Sequence, residues 1–184
     1  PLIKKDVVRL AAMLKAIPGL EELSLTTNGV CLADMADKLR AAGIGSVNIS
    51  VDTLKKEKFK TITGADGFDA VWRGVEKSLK AGFSGVKLNV IVMRGINDDE
   101  IADFARLSLE HPLTVRFIEF FPTNTRSARM TGALVKTAEV KELIEAAFGP
   151  MSAAAPVKSG GPAGGYALKN ARGGLGFISG RSDN

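Results

Sequence analysis

Cysteine is almost missing from this sequence: Cys31 is the only one in 184 residues, beside a single histidine, His111. One thiol cannot build an internal disulfide framework, and these two side chains cannot complete a cysteine-held metal cluster. Tryptophan and tyrosine also occur once each, and aromatics amount to 6%. A nucleic-acid binder is expected to interleave clustered Lys and Arg with stacking aromatics, so no nucleic-acid partner is expected despite a net charge of +5. The one dense basic run, Lys55-Lys56-Glu57-Lys58 with Lys60, contains an acid and reads as an exposed charged loop. No apolar run approaches a membrane span, and the start does not read as a signal peptide, so no membrane partner is expected either. With no export signal and no disulfide pair, a cytoplasmic, reducing setting is the expectation. Opening on Pro1 rather than methionine suggests a processed, trimmed or partial chain. Glycine signatures of common nucleotide folds are absent: no GxGxxG follows the first strand, and GxxxxGK(S/T) occurs nowhere.

What is present is alternation. Ile3, Val7, Leu10, Ala11 and Leu14 recur at helical spacing until Pro18-Gly19. A strand follows at Glu22 to Thr27, then a helical stripe of Leu32, Met35, Ala36, Leu39 and Ala42 closed by Gly43. Val47 to Asp52 reads as a strand, and Phe68, Val71, Trp72, Val75 and Leu79 as a helix stopped by Gly82. Val86 to Met93 is the next strand. Asn97 and Glu100 are expected as a capping pair for a helix with Ile101, Phe104 and Leu107 on its apolar face. Leu113 to Phe121 is a further strand. Helix and strand alternate four times, the pattern of parallel α/β proteins, and an incomplete (βα) TIM-type barrel is the predicted fold.

A weak repeat supports this. Leu39-Arg40-Ala41-Ala42-Gly43 precedes Val47 as Leu79-Lys80-Ala81-Gly82 precedes Val86: a helix end, a glycine stop and a strand entry each time. The barrel core is expected over residues 1–122. Residues 123–184 read as a C-terminal extension packed on it, with a helix from Thr137 to Phe148 and a β-hairpin from Tyr166–Leu168 and Leu175–Ile178. The glycines between Gly160 and Gly165 read as loop flexibility rather than a phosphate cradle, since no clear helix follows.

Period-two alternation puts Asn48, Ser50 and Asp52 on one face of the second strand, and Lys87 and Asn89 on one face of the third. Polar groups in strands that a barrel buries need partners. Either they line an interior site for a charged small molecule, or they bond one another or face solvent at an edge. For Lys87, between Val86 and Leu88, the site reading is preferred, because lysine is seldom buried unpaired. Arg116 is placed to hold a phosphate by paired hydrogen bonds, and a structural salt bridge to another strand explains it equally well. Opposite parity separates it from Glu119. His111 reads as a surface residue and Cys31 as a small packing residue.

The segments PLIKKD, SLTTNG, VNISVDTL, FKTITG, GVKLNVIVMRGINDDEI, VRFIEFFP, GPAGGYAL and GFIS, in that order from Pro1 to Ser179, resemble the GTP 3′,8-cyclase family of radical S-adenosylmethionine enzymes. That resemblance implies an incomplete βα barrel with a C-terminal extension. It implies conversion of GTP to 3′,8-cyclo-7,8-dihydro-GTP by a 5′-deoxyadenosyl radical mechanism, a lyase step of molybdenum cofactor biosynthesis. It also implies S-adenosylmethionine and two 4Fe–4S clusters as cofactors, with GTP and S-adenosylmethionine as partners. By position, Thr26, Lys87 and Arg116 resemble GTP contacts and Ser50 an S-adenosylmethionine contact, while Asn28 and Asn89 are expected to support that pocket. Phe121 stands where the family usually has methionine against the adenosine, and an aromatic there either stacks on the adenine or crowds it. A homodimer stays open.

On the same resemblance Pro1 falls just after the family's GGE motif, and Asn184 just before its FCxxCN segment. Both sets of cluster cysteines then lie outside this sequence, Cys31 matches neither, and these 184 residues alone are expected to be inactive. Two other readings stand beside this one. A peptide-modifying radical S-adenosylmethionine enzyme would share the TTNG and SVD strands, although GPAGGY and GFIS argue against it. A degenerate, non-catalytic nucleotide-binding or scaffold protein would have to fold with an open barrel edge.

Overall fold

The structure is a computed structural model that describes residues 1–122, 132–154 and 164–179. Among them α1 (Val7–Lys15), β1 (Ser24–Thr27), α2 (Leu32–Ala41), β2 (Ser46–Ser50), α3 (Lys56–Thr63), α4 (Phe68–Lys80) and β3 (Gly85–Val92) come first. A 3-10 turn (Asp98–Glu100), α5 (Ile101–Glu110), β4 (Thr114–Glu119), α6 (Thr137–Phe148), β5 (Ser152–Ala153), β6 (Gly164–Ala167) and β7 (Gly174–Ile178) follow. The strands form one sheet in the order β1-β2-β3-β4-β7-β6-β5. β1 to β4 and β7 are parallel, while β6 pairs antiparallel with β7 and with β5. This is an α/β fold, a partial TIM-type (βα) barrel.

Four parallel strands in sequential order, whose crossovers as a rule share one hand, send their helices to one face of the sheet. The core lies there. Val47 and Ile49 of β2, Val86, Leu88, Val90 and Val92 of β3, and Val115 and Phe117 of β4 are all buried in it. Against them pack Leu32 and Leu39 of α2, Val71 and Val75 of α4, and Phe104 of α5. Each strand therefore gives its alternate residues to the core and leaves the others for the opposite, interior face.

Local chemistry explains the joints. The repeated glycine stop holds: Gly43 and Gly82 have φ of 98° and 76°, left-handed geometry that closes α2 and α4 before β2 and β3. Gly74, inside α4, is demanded by packing instead. A Cβ there would lie 2.7 Å from the Gly29 carbonyl oxygen and 3.2 Å from Leu32 Cβ, so α4 rests directly on the turn after β1.

Several expectations change. The charged stretch after β2 is not a loop but α3, whose only buried residue is Phe59. Its lysines are tied down: Lys55 and Lys58 both pair with Asp99, and Lys58 lies 3.2 Å from Glu100. Asn97 and Glu100 do not cap, since neither makes a side-chain cap bond. Asn97 instead donates to Asp52 O (2.6 Å) and Ile91 O (2.8 Å) and accepts from Met93 N (2.7 Å), stitching together the ends of β2 and β3. The fully buried Glu100 accepts from Thr53 Oγ1 (2.8 Å) and Leu54 N (2.7 Å). α1 begins at Val7, leaving Ile3 90% exposed.

The tail helix spans Thr137–Phe148 as its periodicity predicts, and β6 with β7 makes the hairpin. β7 is more than an appendage, because it pairs in parallel with β4 and so continues the sheet. Gly160 and Gly161 lie outside the described residues, while Gly164 and Gly165 belong to β6.

Candidate functional site

Register converts the polar alternation into tiers. Across the sheet Thr26 pairs with Asn48, Asn48 with Lys87, and Lys87 with Thr114. Two residues nearer the carboxyl ends, Ser50 pairs with Asn89, Asn89 with Arg116, and Arg116 with Gly176, beyond which lies Gly165 of β6. All of these share the face opposite the core. Five of the seven expected site residues, Thr26, Ser50, Lys87, Asn89 and Arg116, thus come together on four neighbouring strands.

The other two lie at the carboxyl ends of strands. Asn28 is exposed in the turn after β1, where its Oδ1 accepts weakly from Val30 N at 3.4 Å. Phe121 lies two residues beyond β4 and is 53% exposed. Neither belongs to the paired tiers.

Hydrogen bonds run within and between the tiers. Arg116 Nη1 donates to Asn48 Oδ1 at 3.3 Å, and Asn48 Nδ2 donates to Thr26 Oγ1 at 3.4 Å. Asn48 was legible on the Ser50 face but carried no role in the sequence. Its parity was the signal; its contacts, 22 and 68 residues away, were not readable. Glu22 is a second omission: its Oε1 accepts from Ser46 Oγ at 2.9 Å, and its charge reaches Lys87.

The electrostatics follow from two cations on one partly dry face. Burial lowers the Lys87 ammonium pKa, the Arg116 charge lowers it further, and Glu22 works the other way. Burial also lowers that of Arg116. Lys87 is only 4% exposed, so its charge is held where water solvates it poorly. Such a pair attracts an anion strongly, because the ligand supplies the charge that water cannot. Asp52, one step beyond Ser50, has its carboxyl pushed up by burial, against a hydrogen bond from Ile91 N (2.9 Å) that lowers it.

One atom is left over. Asn89 Oδ1 is buried and has no hydrogen-bond partner among the described residues. An unsatisfied buried acceptor costs roughly 1–3 kcal/mol. It sits between Ser50 and Arg116, and a donor from a bound molecule would satisfy it.

The chain belongs to the Radical SAM superfamily, whose sequence model matches residues 1–108. Within that superfamily its similarity is to GTP 3′,8-cyclases along its whole length. It is 47% identical over 184 residues to the GTP 3′,8-cyclase of Moorella thermoacetica, covering 100% of this chain and 56% of that protein. It is 43% identical over 179 residues to that of Heliobacterium modesticaldum (97% and 55%), and 40% identical over 184 residues to that of Pelotomaculum thermopropionicum (100% and 57%). The chain spans about half the length of these curated relatives. No helix among the described residues is long and apolar enough to cross a membrane.

Membership implies S-adenosylmethionine and an iron–sulfur cluster. The residues present do not fit a cluster: the sequence has one cysteine, and the described residues contain no group of three His, Cys, Asp or Glu that could hold a metal ion. The polar tiers do fit an organic ligand with hydroxyl donors and a strong negative charge.

Proposed function

We propose that this chain is the central part of a GTP 3′,8-cyclase, acting in molybdenum cofactor biosynthesis. Two things support the reading: whole-length similarity to proteins of that name, and Lys87 and Arg116 together on the interior face, with Asn48 paired beside the first and hydrogen-bonded to the second. The second carries it, because a nucleoside triphosphate brings negative charge to a face that holds two cations.

In this reading Lys87 and Arg116 hold the phosphates of GTP, and Thr26 at the edge of the same tier bonds the nucleotide. Ser50 and Phe121, at the carboxyl ends of β2 and β4, belong to the S-adenosylmethionine side, and Asn89 Oδ1 accepts from a hydroxyl where the two ligands meet. Asn28 shapes the turn beside them. The radical chemistry of such an enzyme is supplied by S-adenosylmethionine on a cluster, and two 4Fe–4S clusters are expected in the whole enzyme. This chain's own part is to bind and orient GTP and to keep water from its phosphates. The 184 residues alone are expected to be inactive.

Calorimetric titration of GTP into the purified protein tests the reading. Binding is expected to weaken with added salt and to fall roughly tenfold in Lys87→Ala, the scale of one charge-assisted contact. Equal affinity in the variant would remove Lys87 from the site. Absence of GTP binding in the full-length protein would remove the substrate.

A further inference from the structure

Asn48 stands on the polar face between Thr26 and Lys87 in register, and the Arg116 side chain reaches it from β4, two strands away. Its amide has one orientation compatible with both neighbours. Oδ1 receives Arg116 Nη1, a group that can only donate; turning the amide over would set two donors against each other. Nδ2 is thereby committed to Thr26 Oγ1.

An aspartate of the same shape would hold the guanidinium more strongly, through a charge-assisted bond. It would also place a negative charge beside both cations of the site. An amide fixes Arg116 while leaving its charge uncancelled. Among the described residues, the charged groups bearing on this position include Arg116 on β4, Lys87 on β3 and, more distantly through Lys87, Glu22 before β1.

We infer that Asn48 is a positioning residue, which orders the Arg116 guanidinium for a polyphosphate and, by being neutral, preserves the charge of Lys87 and Arg116 for it. The inference deepens the proposed GTP site and rests on that reading for the identity of the ligand. It concerns no contact to the reacting atoms. The prediction separates the two jobs of the side chain. Asn48→Ala removes the ordering and leaves the charge, whereas Asn48→Asp keeps the ordering and cancels the charge.

The test uses the full-length protein and two probes, GTP and inorganic tripolyphosphate, titrated at several salt concentrations at pH 8. Melting curves come first, and Asn48→Ser is the alternative should Asn48→Ala fail to fold. Asn48→Asp is expected to bind both probes at least about tenfold more weakly at pH 8, with a flatter salt dependence. Asn48→Ala is expected to lose about threefold, with the wild-type salt dependence. Asn48→Asp within twofold of wild type, or equal losses and equal salt slopes in the two variants, would overturn the inference.

A ligand-free readout separates its failure from that of the proposed function. Carbon-13 NMR of the Lys87 side chain should show its proton held to higher pH in Asn48→Asp than in wild type. If tripolyphosphate binds and GTP does not, the nucleotide reading fails and Asn48 is still judged on tripolyphosphate. If neither binds, an unmoved Lys87 titration overturns the inference and a raised one upholds it.

Discussion

Arg116 and Glu119, three residues apart on β4, work on opposite faces of the sheet. The guanidinium donates to Asn48 on the interior face, while Glu119 Oε1 accepts from the backbone N–H of Thr137 at 2.8 Å on the helix side. That N–H opens α6, whose N-cap, Lys136, makes no side-chain cap bond. A carboxylate from a strand therefore does the capping that the helix's own sequence omits.

Removing that cap should cost stability and leave the site intact. Glu119→Ala is expected to lower unfolding stability by about 1–3 kcal/mol, the penalty for a buried N–H left without its acceptor. Glu119→Gln, which retains an acceptor, should lose less. Urea melts give the stability, and GTP titration of both variants should match wild type. A large drop in affinity with unchanged stability would reverse the assignment of faces.

Lys87 should show the opposite balance. Its folded pKa lies below the ordinary 10.5, chiefly through burial, so the folded state resists the charged form. Below the folded pKa the full penalty applies; it fades as pH rises toward the unfolded value. Lys87→Met is therefore expected to raise Tm at pH 7, by about 2–4 °C for each kcal/mol recovered in a chain of this size, and to weaken GTP binding roughly tenfold with a flatter salt dependence. Calorimetric melts at pH 7 and pH 10 check the sign, since the variant's advantage should shrink at the higher pH. A variant less stable than wild type at both would sink this account.

Gly74 links helix packing to the site. With the Gly29 carbonyl oxygen 2.7 Å from the position of an added Cβ, Gly74→Ala must push α4 away or shift the turn that follows Thr26 and Thr27. Overpacking of this kind costs about 1–3 kcal/mol. Both Tm and GTP affinity should fall, and hydrogen exchange should rise first at Gly29 and Leu32. Wild-type exchange at those amides would show that the strain relaxes elsewhere.

The ion cluster on α3 titrates in acid. Hydrogen bonds from Lys55 and Lys58 lower the Asp99 carboxyl to about 2. A depressed carboxylate stabilises the fold above its unfolded value near 3.8, and that contribution disappears as pH falls through the folded value. Asp99 is half exposed, so the effect is about 1 kcal/mol or less after solvent screening. Wild type should exceed Asp99→Asn in urea midpoint at pH 6, and the gap should close between pH 4 and pH 2. A gap independent of pH would mean that the ion pairs contribute nothing there.

Local patterns were legible and distant partners were not. Thr137–Phe148 was readable because Val140 and Ile144 bury one stripe of a helix long enough to show its period. α3 was not, because Phe59 alone is buried and the charges around it look like a loop until Asp99 and Glu100 arrive from forty residues away. The polar face was visible from parity within β2 and β3. Its registry, Lys87 beside Thr114 and Asn89 beside Arg116, depends on pairing between strands and leaves no trace in either alone. Asn97 and Glu100 show the same limit: their spacing matched a cap, yet both side chains are spent on residues near β2. The hairpin was readable from its two apolar pieces, while the seat of β7 beside β4 was not.

Because alternate residues of β3 serve the core and the site, the strand tolerates exchange far better than insertion. One residue added near its start would turn Lys87 and Asn89 toward the helices and present Val86, Leu88 and Val90 to the ligand, spoiling folding and binding in a single step. A residue added beyond β3, near the Gly95 turn, changes no parity. Length variation in this part of the molecule is therefore confined to the turns, and β3 must keep its residue count even where its side chains change.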